Sequence, residues 1–129
     1  MHSLHLNKHI KFNIVLFLAI IAIVQLFAVK VYADKASESY RIQYLLDKIE
    51  SSGAVFIRNG KEYPGAEARK HLQRKLDYAG DKITTAEDFI TYIASKSSTS
   101  GEAYYMKLPD GKTMETATWL RQQLEEMKL

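Results

Sequence analysis

Apolar positions form one continuous run near the start of the chain and helical or alternating stripes beyond it. In residues 12–29 only Asn13 and Gln25 are strongly polar. Further on, Ile42, Leu45, Leu46 and Ile49 recur at three- and four-residue spacing, which predicts a helix burying one face, with Ser37 or Ser39 placed to cap it and Gly53 to end it. Residues 54–58 are rich in strand formers. Asn59-Gly60 favours a two-residue hairpin because both residues accept positive φ, and residues 61–63 form the return strand, which Pro64 stops.

A second helix is predicted over about residues 66–79, with Ala68, Leu72, Leu76 and Ala79 on its apolar face and Gly80 at its end. A third begins at Thr84, with Glu87 reaching back in a capping box, and buries Ala86, Phe89, Ile90 and Ile93. Residues 95–101 are too rich in hydroxyls to continue that helix and read as a loop. Residues 103–108 and 112–115 flank the turn Pro109-Asp110-Gly111, and Thr116 is placed to cap a last helix carrying Leu120, Leu124 and Met127. The resulting order, α-ββ-α-α-ββ-α, predicts a small single α+β domain. Neither hairpin is stable alone, so the two are expected to combine into one antiparallel sheet with helices on one side. Asn59-Gly60-Lys61-x-Tyr63-x-x-Ala66 lines up with Asp110-Gly111-Lys112-x-Met114-x-x-Ala117. This echo reads either as two similar hairpin-to-helix units or as the pattern that turn and cap chemistry impose on any hairpin leading directly into a helix, and the second is the expectation.

The first apolar run follows Lys8 and Lys11 with no acidic residue before it, and Val31-Tyr32-Ala33 suits a signal cleavage site after Ala33. The expected organisation is therefore a signal peptide over residues 1–33 and one soluble domain over residues 34–129. About 18 apolar residues also suffice to cross roughly 30 Å of hydrocarbon, so an uncleaved inner-membrane anchor is the alternative. Either way the basic end stays in the cytoplasm and the domain is exported, to the periplasm in a Gram-negative cell.

Export changes the meaning of the charge. Of 18 lysines and arginines, Lys8, Lys11 and Lys30 lie in the first segment, leaving 15 against 15 acidic residues in the domain. A neutral domain gives no electrostatic reason to expect nucleic acid as a partner, and the membrane is met only through the N-terminal segment if it is kept. His2, His5 and His9 also precede the domain, which retains His71 alone, and the chain has no cysteine. Multi-histidine and thiolate metal sites, disulfides and lipid acylation are thereby excluded, and no cofactor is implied.

Candidate chemistry lies in two places. His71, Lys75 and Tyr78, spaced i, i+4 and i+7, share one edge of the second helix and read either as an anion or carbonyl site or as the polar border of a core. In the loop, Ser95, Ser97, Ser98, Thr99 and Ser100 read as hydroxyls that end a helix, as a ligand loop, or as the source of a nucleophile with His71 as base. Neither G-x-S-x-G nor S-x-x-K is present, and no catalytic motif is complete. Arg69, Lys70, Arg74 and Lys75 are expected to form a solvated helix face. Tyr104 and Tyr105 must face opposite sides of a strand.

FIRNGKEY (residues 56–63), the stretch from Ala66 through His71 and Leu72 to Lys75, TAEDFI (residues 85–90) and ASKSSTSG (residues 94–101) with Tyr104 following resemble a bacterial family of small exported proteins classed as a domain of unknown function. The resemblance runs from Tyr40 to Trp119. It implies a periplasmic location and points to His71, Lys75 and the serine loop, without an activity. The leading expectation is a binding or interaction module for an envelope component or a small anionic ligand, held by His71, Lys75, Tyr78, Ser95, Ser97, Ser98, Ser100 and Tyr104. A weak serine/histidine hydrolase and a structural envelope protein acting by protein contact are the alternatives.

Overall fold

A computed structural model describes residues 7–127. Two compact units divide near Asp34. The first contributes the start of helix α1 (Lys8–Ser51); there the large apolar side chains are exposed, and a window of 18 residues reaches a mean hydropathy of 2.8, long and apolar enough to cross a membrane. The expected cap at Ser37 or Ser39 is not used, because α1 runs through both positions without a break. Neither proline nor glycine interrupts residues 8–51, so no residue there penalises helical φ/ψ strongly enough to end it.

In the second unit, Ile42, Leu45, Leu46 and Ile49 of α1 are buried as their spacing predicts. Strands β1 (Val55–Arg58) and β2 (Lys61–Pro64) form a hairpin in which Asn59 and Gly60 have φ of 49° and 74°, the positive values that a two-residue turn of this twist requires. Pro64 lies at the end of the edge strand rather than beyond it, a position where its missing N–H costs no ladder bond. Helix α2 (Gly65–Ala79) follows directly. Gly65 is required by close approach: a Cβ there would sit 2.6 Å from the Ile49 carbonyl oxygen.

After a 3-10 turn at Gly80–Lys82, helix α3 (Ala86–Asp88) widens into a π-helical turn at Phe89–Ala94. The capping box is displaced by one residue from the expected Thr84 and Glu87. Thr85 accepts from the Asp88 amide while the Asp88 carboxylate accepts from the amides of Thr84 and Thr85 and from the Thr84 hydroxyl. Glu87 is thereby freed to take Arg121 at 2.6 Å. Strands β3 (Tyr105–Lys107) and β4 (Thr113–Glu115) precede helix α4 (Thr116–Met127).

The two hairpins join into one antiparallel sheet of order β2-β1-β3-β4, as their separate instability predicts. Phe56, Met106 and Met114 lie opposite one another in register, and Phe56 and Met106 are buried on the face that the helices cover. Phe89, Ile90, Ile93, Trp119, Leu120 and Leu124 complete that core. The same register places a second row two residues further along, on the same face, made by Arg58, Tyr104 and Thr116.

Candidate functional site

This second row forms one wall of a cavity of about 230 Å³, larger than the ~150 Å³ space that holds a benzene ring in an engineered core. Phe56, Ala68 and Leu72 give it an apolar lining, and Arg58, Tyr63, His71, Tyr104 and Thr116 bring polar atoms to it. β1 supplies Arg58 because strand alternation puts it on the face of buried Phe56, and α2 supplies His71 one residue before buried Leu72.

Arg58 Nη1 lies 2.6 Å from Nδ1 and 2.9 Å from Nε2 of His71, and Nη2 donates to the Tyr63 hydroxyl at 3.1 Å. Its guanidinium also sits 4.8 Å from the centre of the Tyr63 ring. Arginine only donates, so the imidazole nitrogen that faces it must be unprotonated. Nε2 is 3.2 Å from the Tyr104 hydroxyl. We assign the tautomer in which Nδ1 accepts from Arg58 and Nε2–H donates to Tyr104, the one arrangement that serves both neighbours. Burial first, then the charges of Arg58, Lys75 and Arg74, push the His71 pKa down to about 4. The ring is therefore neutral at physiological pH.

Lys75 faces the same tyrosine from the other side. Its Nζ donates to the carbonyls of Ile93 at 2.7 Å and Lys96 at 2.9 Å and lies 3.3 Å from the Tyr104 hydroxyl, using all three N–H bonds. Burial, with Arg58 second, lowers its pKa to about 8. Lys75 thus ties the end of the π-helical turn to α2. Burial likewise raises the Tyr104 pKa, against an opposing effect of Arg58.

Charge around the cavity is unbalanced. Arg58, Lys70 and Arg74 line it together with one carboxylate, Glu67, and among the described residues none of the three cations forms an ion pair. The four basic residues of α2 do not share one solvated role as expected. Arg69 alone bonds Asp47 and Glu50 of α1, each at 2.6 Å, Lys70 and Arg74 border the cavity, and Lys75 is held by carbonyls.

The serine loop sits against the hairpin turn next to Arg58. Ser97, 5% exposed, takes the Thr99 hydroxyl at 3.0 Å, the Ser100 amide at 3.3 Å and the Asn59 side-chain amide at 3.4 Å. Ser100 donates to Asn59 Oδ1 at 2.6 Å, and Ser95 to the Thr91 carbonyl at 2.5 Å. The side-chain polar contacts of His71 are with Arg58 and Tyr104, and no loop hydroxyl meets it among the described residues. Tyr78 is 95% exposed and borders a separate shallow hollow with Lys75, Lys82, Tyr92 and Ser98. Of the residues the sequence singles out, His71, Lys75 and Tyr104 thus come together, Ser95, Ser97 and Ser100 form a second network, and Tyr78 and Ser98 lie at a third place.

Arg58 is a polar cavity residue that the sequence reading passes over, and Thr116 is one that it places only as a helix cap. Thr116 corrects an expectation, since its hydroxyl does not cap α4. It is buried, at 1% exposure for the residue, and has no hydrogen-bond partner among the described residues. Its amide donates to the Tyr104 carbonyl at 2.9 Å, so Thr116 continues the sheet ladder, and its side chain belongs to the row of Tyr104 and Arg58.

The chain belongs to a family of unknown function, DUF5329, whose model matches residues 36–128. It is 39% identical over 70 residues to the uncharacterized protein YfeK of Salmonella typhimurium (strain LT2), a match covering 54% of this chain and 58% of that relative. The chain therefore spans under two thirds of the relative's length. No solved structure matches it.

Proposed function

We propose that this chain is an exported binding module that takes a small anionic molecule into the Arg58 cavity. One observation carries the reading: a part-buried guanidinium on the covered face of the sheet, in an apolar hollow, with no carboxylate paired to it among the described residues. Withdrawing a cation from water is costly unless an anion or a set of acceptors replaces the lost hydration. His71 and Tyr63 each accept one bond, and neither supplies negative charge. Of five N–H bonds on a guanidinium, three then remain for a planar carboxylate, the geometry that arginine binds best.

His71 positions rather than binds: as a neutral acceptor it fixes the guanidinium, and Tyr104 fixes the ring. The serine loop and His71 are not in contact, so the pairing that a serine hydrolase needs has no support from the geometry. The test is calorimetric titration of full-length protein with small aromatic carboxylates and their uncharged amides. Binding of at least one acid, none of its amide, and loss of at least tenfold in affinity on Arg58→Gln are expected. Equal binding of acid and amide would overturn the reading.

Export rests on the exposed apolar helix behind Lys8 and Lys11. In this reading the domain works in the periplasm, with residues 1–33 either removed after Ala33 or kept as an inner-membrane anchor. Cell fractionation with N-terminal sequencing distinguishes these outcomes. A mature N-terminus at Asp34 marks cleavage, and an intact chain in the inner membrane marks the anchor. Full-length protein in the cytosol would rule out export.

A further inference from the structure

We infer that the ligand carries two anionic groups across a short apolar body, one held by Arg58 inside the cavity and the other by Lys70 and Arg74 at its mouth. The inference rests on the reading of the cavity as an anion site and adds the class of molecule that fits it.

Helix α2 meets the cavity along one arc. At about 100° per residue, Leu72, Ala68, His71, Glu67, Arg74 and Lys70 follow one another round the helix, and all of them line the cavity. Leu72 and Ala68 are buried, His71 is half-buried, and Glu67, Arg74 and Lys70 are exposed, so the arc climbs from floor to rim. Arg58 is half-buried and held against His71, on the inner part of that arc. The charges of Arg58 and Arg74 both depress the His71 pKa, which puts both cations near the same ring. Lys75 acts on His71 as well, but it lies outside the lining and is committed to two carbonyls.

The lining therefore sets three cations against the one carboxylate of Glu67. Lys70 and Arg74 stand one turn apart on the rim, where like charges repel. Glu67 is three residues from Lys70, a spacing that permits an ion pair, yet it pairs with neither cation among the described residues. Two positive charges are left over in this wall, although the domain as a whole has 15 basic residues and 15 acidic ones. A monocarboxylate at Arg58 removes one of them, and a second anionic group at the rim removes the other. Phe56, Ala68 and Leu72 offer the body of the ligand an apolar floor. A compact dianion such as inorganic phosphate can occupy one end only.

The test titrates the full chain calorimetrically with terephthalate, 4-carboxyphenylacetate and 1,4-phenylenediacetate. Each is compared with the monoacid that lacks its second carboxylate, benzoate or phenylacetate, and with inorganic phosphate. At least one diacid should bind about fivefold more tightly than its monoacid, the upper range of one exposed ion pair, and more tightly than phosphate. In Lys70→Gln/Arg74→Gln that ratio should fall to within about twofold of unity. The double variant changes exposed residues only and should melt within about 4 °C of the wild type. Lys107→Gln/Lys112→Gln, which removes two exposed lysines outside the lining, should keep the ratio.

No preference for any diacid, phosphate binding as tightly as the best diacid, or a preference that survives in Lys70→Gln/Arg74→Gln overturns the inference. The anion site still stands in those cases if the monoacids bind the wild type and lose affinity in Arg58→Gln. Failure of every acid to bind the wild type overturns both.

Discussion

Arg58 and Asn59 are neighbours in sequence and serve two regions with opposite polar accounting. Asn59 holds Ser97 and Ser100, and around them the serine loop closes on itself: Ser97 meets Thr99 and Ser100, Ser100 accepts from the Glu102 amide, and Lys75 draws in the Lys96 carbonyl. Arg58 opens onto a cavity, and among the described residues no anion is paired to it. The loop is the more polar of the two by composition. Composition therefore shows where polar groups are, and only pairing shows which of them remain available to a ligand.

The largest test of that contrast is Lys75→Met. If Lys75 belongs to the satisfied region, its loss strands the Ile93 and Lys96 carbonyls and should cost roughly 2–3 kcal/mol in urea unfolding. A loss below about 0.5 kcal/mol would mean that the lysine is as uncommitted as Arg58 and would break the comparison. Ser97→Ala comes next. The Ser100 amide and the Asn59 side chain lose their acceptor, and a destabilisation of roughly 1–2 kcal/mol is expected, with the carboxylate affinity of the cavity unchanged. Weaker carboxylate binding without lost stability would instead make the loop part of the ligand site.

These two regions also separate what was legible in the sequence from what was not. Helical spacing identified Ile42, Leu45, Leu46, Ile49, Phe89, Ile90 and Ile93 as buried, and turn chemistry placed both hairpins, because these are local effects of residue type. The start of α1 was not legible: an N-cap serine is a preference that an unbroken helical run overrides. His71, Lys75 and Tyr104 stood out by type and spacing. Arg58 did not, since FIRNGKEY reads first as a strand and a turn. Its alternation with Phe56 was the available signal, because an arginine two residues from a buried phenylalanine shares the covered face. Thr116 could not be found that way, since its place in the row depends on how β1, β3 and β4 register across nearly 60 residues of sequence, from Arg58 to Thr116.

The smallest expected effect is the most specific to Arg58. An arginine that completes an ion pair leaves a stranded carboxylate when removed, whereas Arg58 has none to leave among the described residues, so Arg58→Gln should change stability at pH 7 by no more than about 0.5 kcal/mol. Its effect should appear on acidification. His71 has a folded pKa of about 4 against an ordinary value of 6.5, so between these values the unfolded chain binds the proton and the folded chain does not. Stability therefore falls as pH drops from 6.5 towards 4 and stops falling from this source below 4, by roughly 1–2 kcal/mol once solvent screening is allowed for. Arg58 is the second cause of that depression, after burial, so Arg58→Gln should raise the His71 pKa part of the way towards 6.5 and shrink the acid-side loss. NMR titration of the His71 ring, alongside urea unfolding across this window, measures both. An unchanged His71 pKa in the variant would mean that Arg58 already has an anionic neighbour screening it, and the difference between the two regions would disappear.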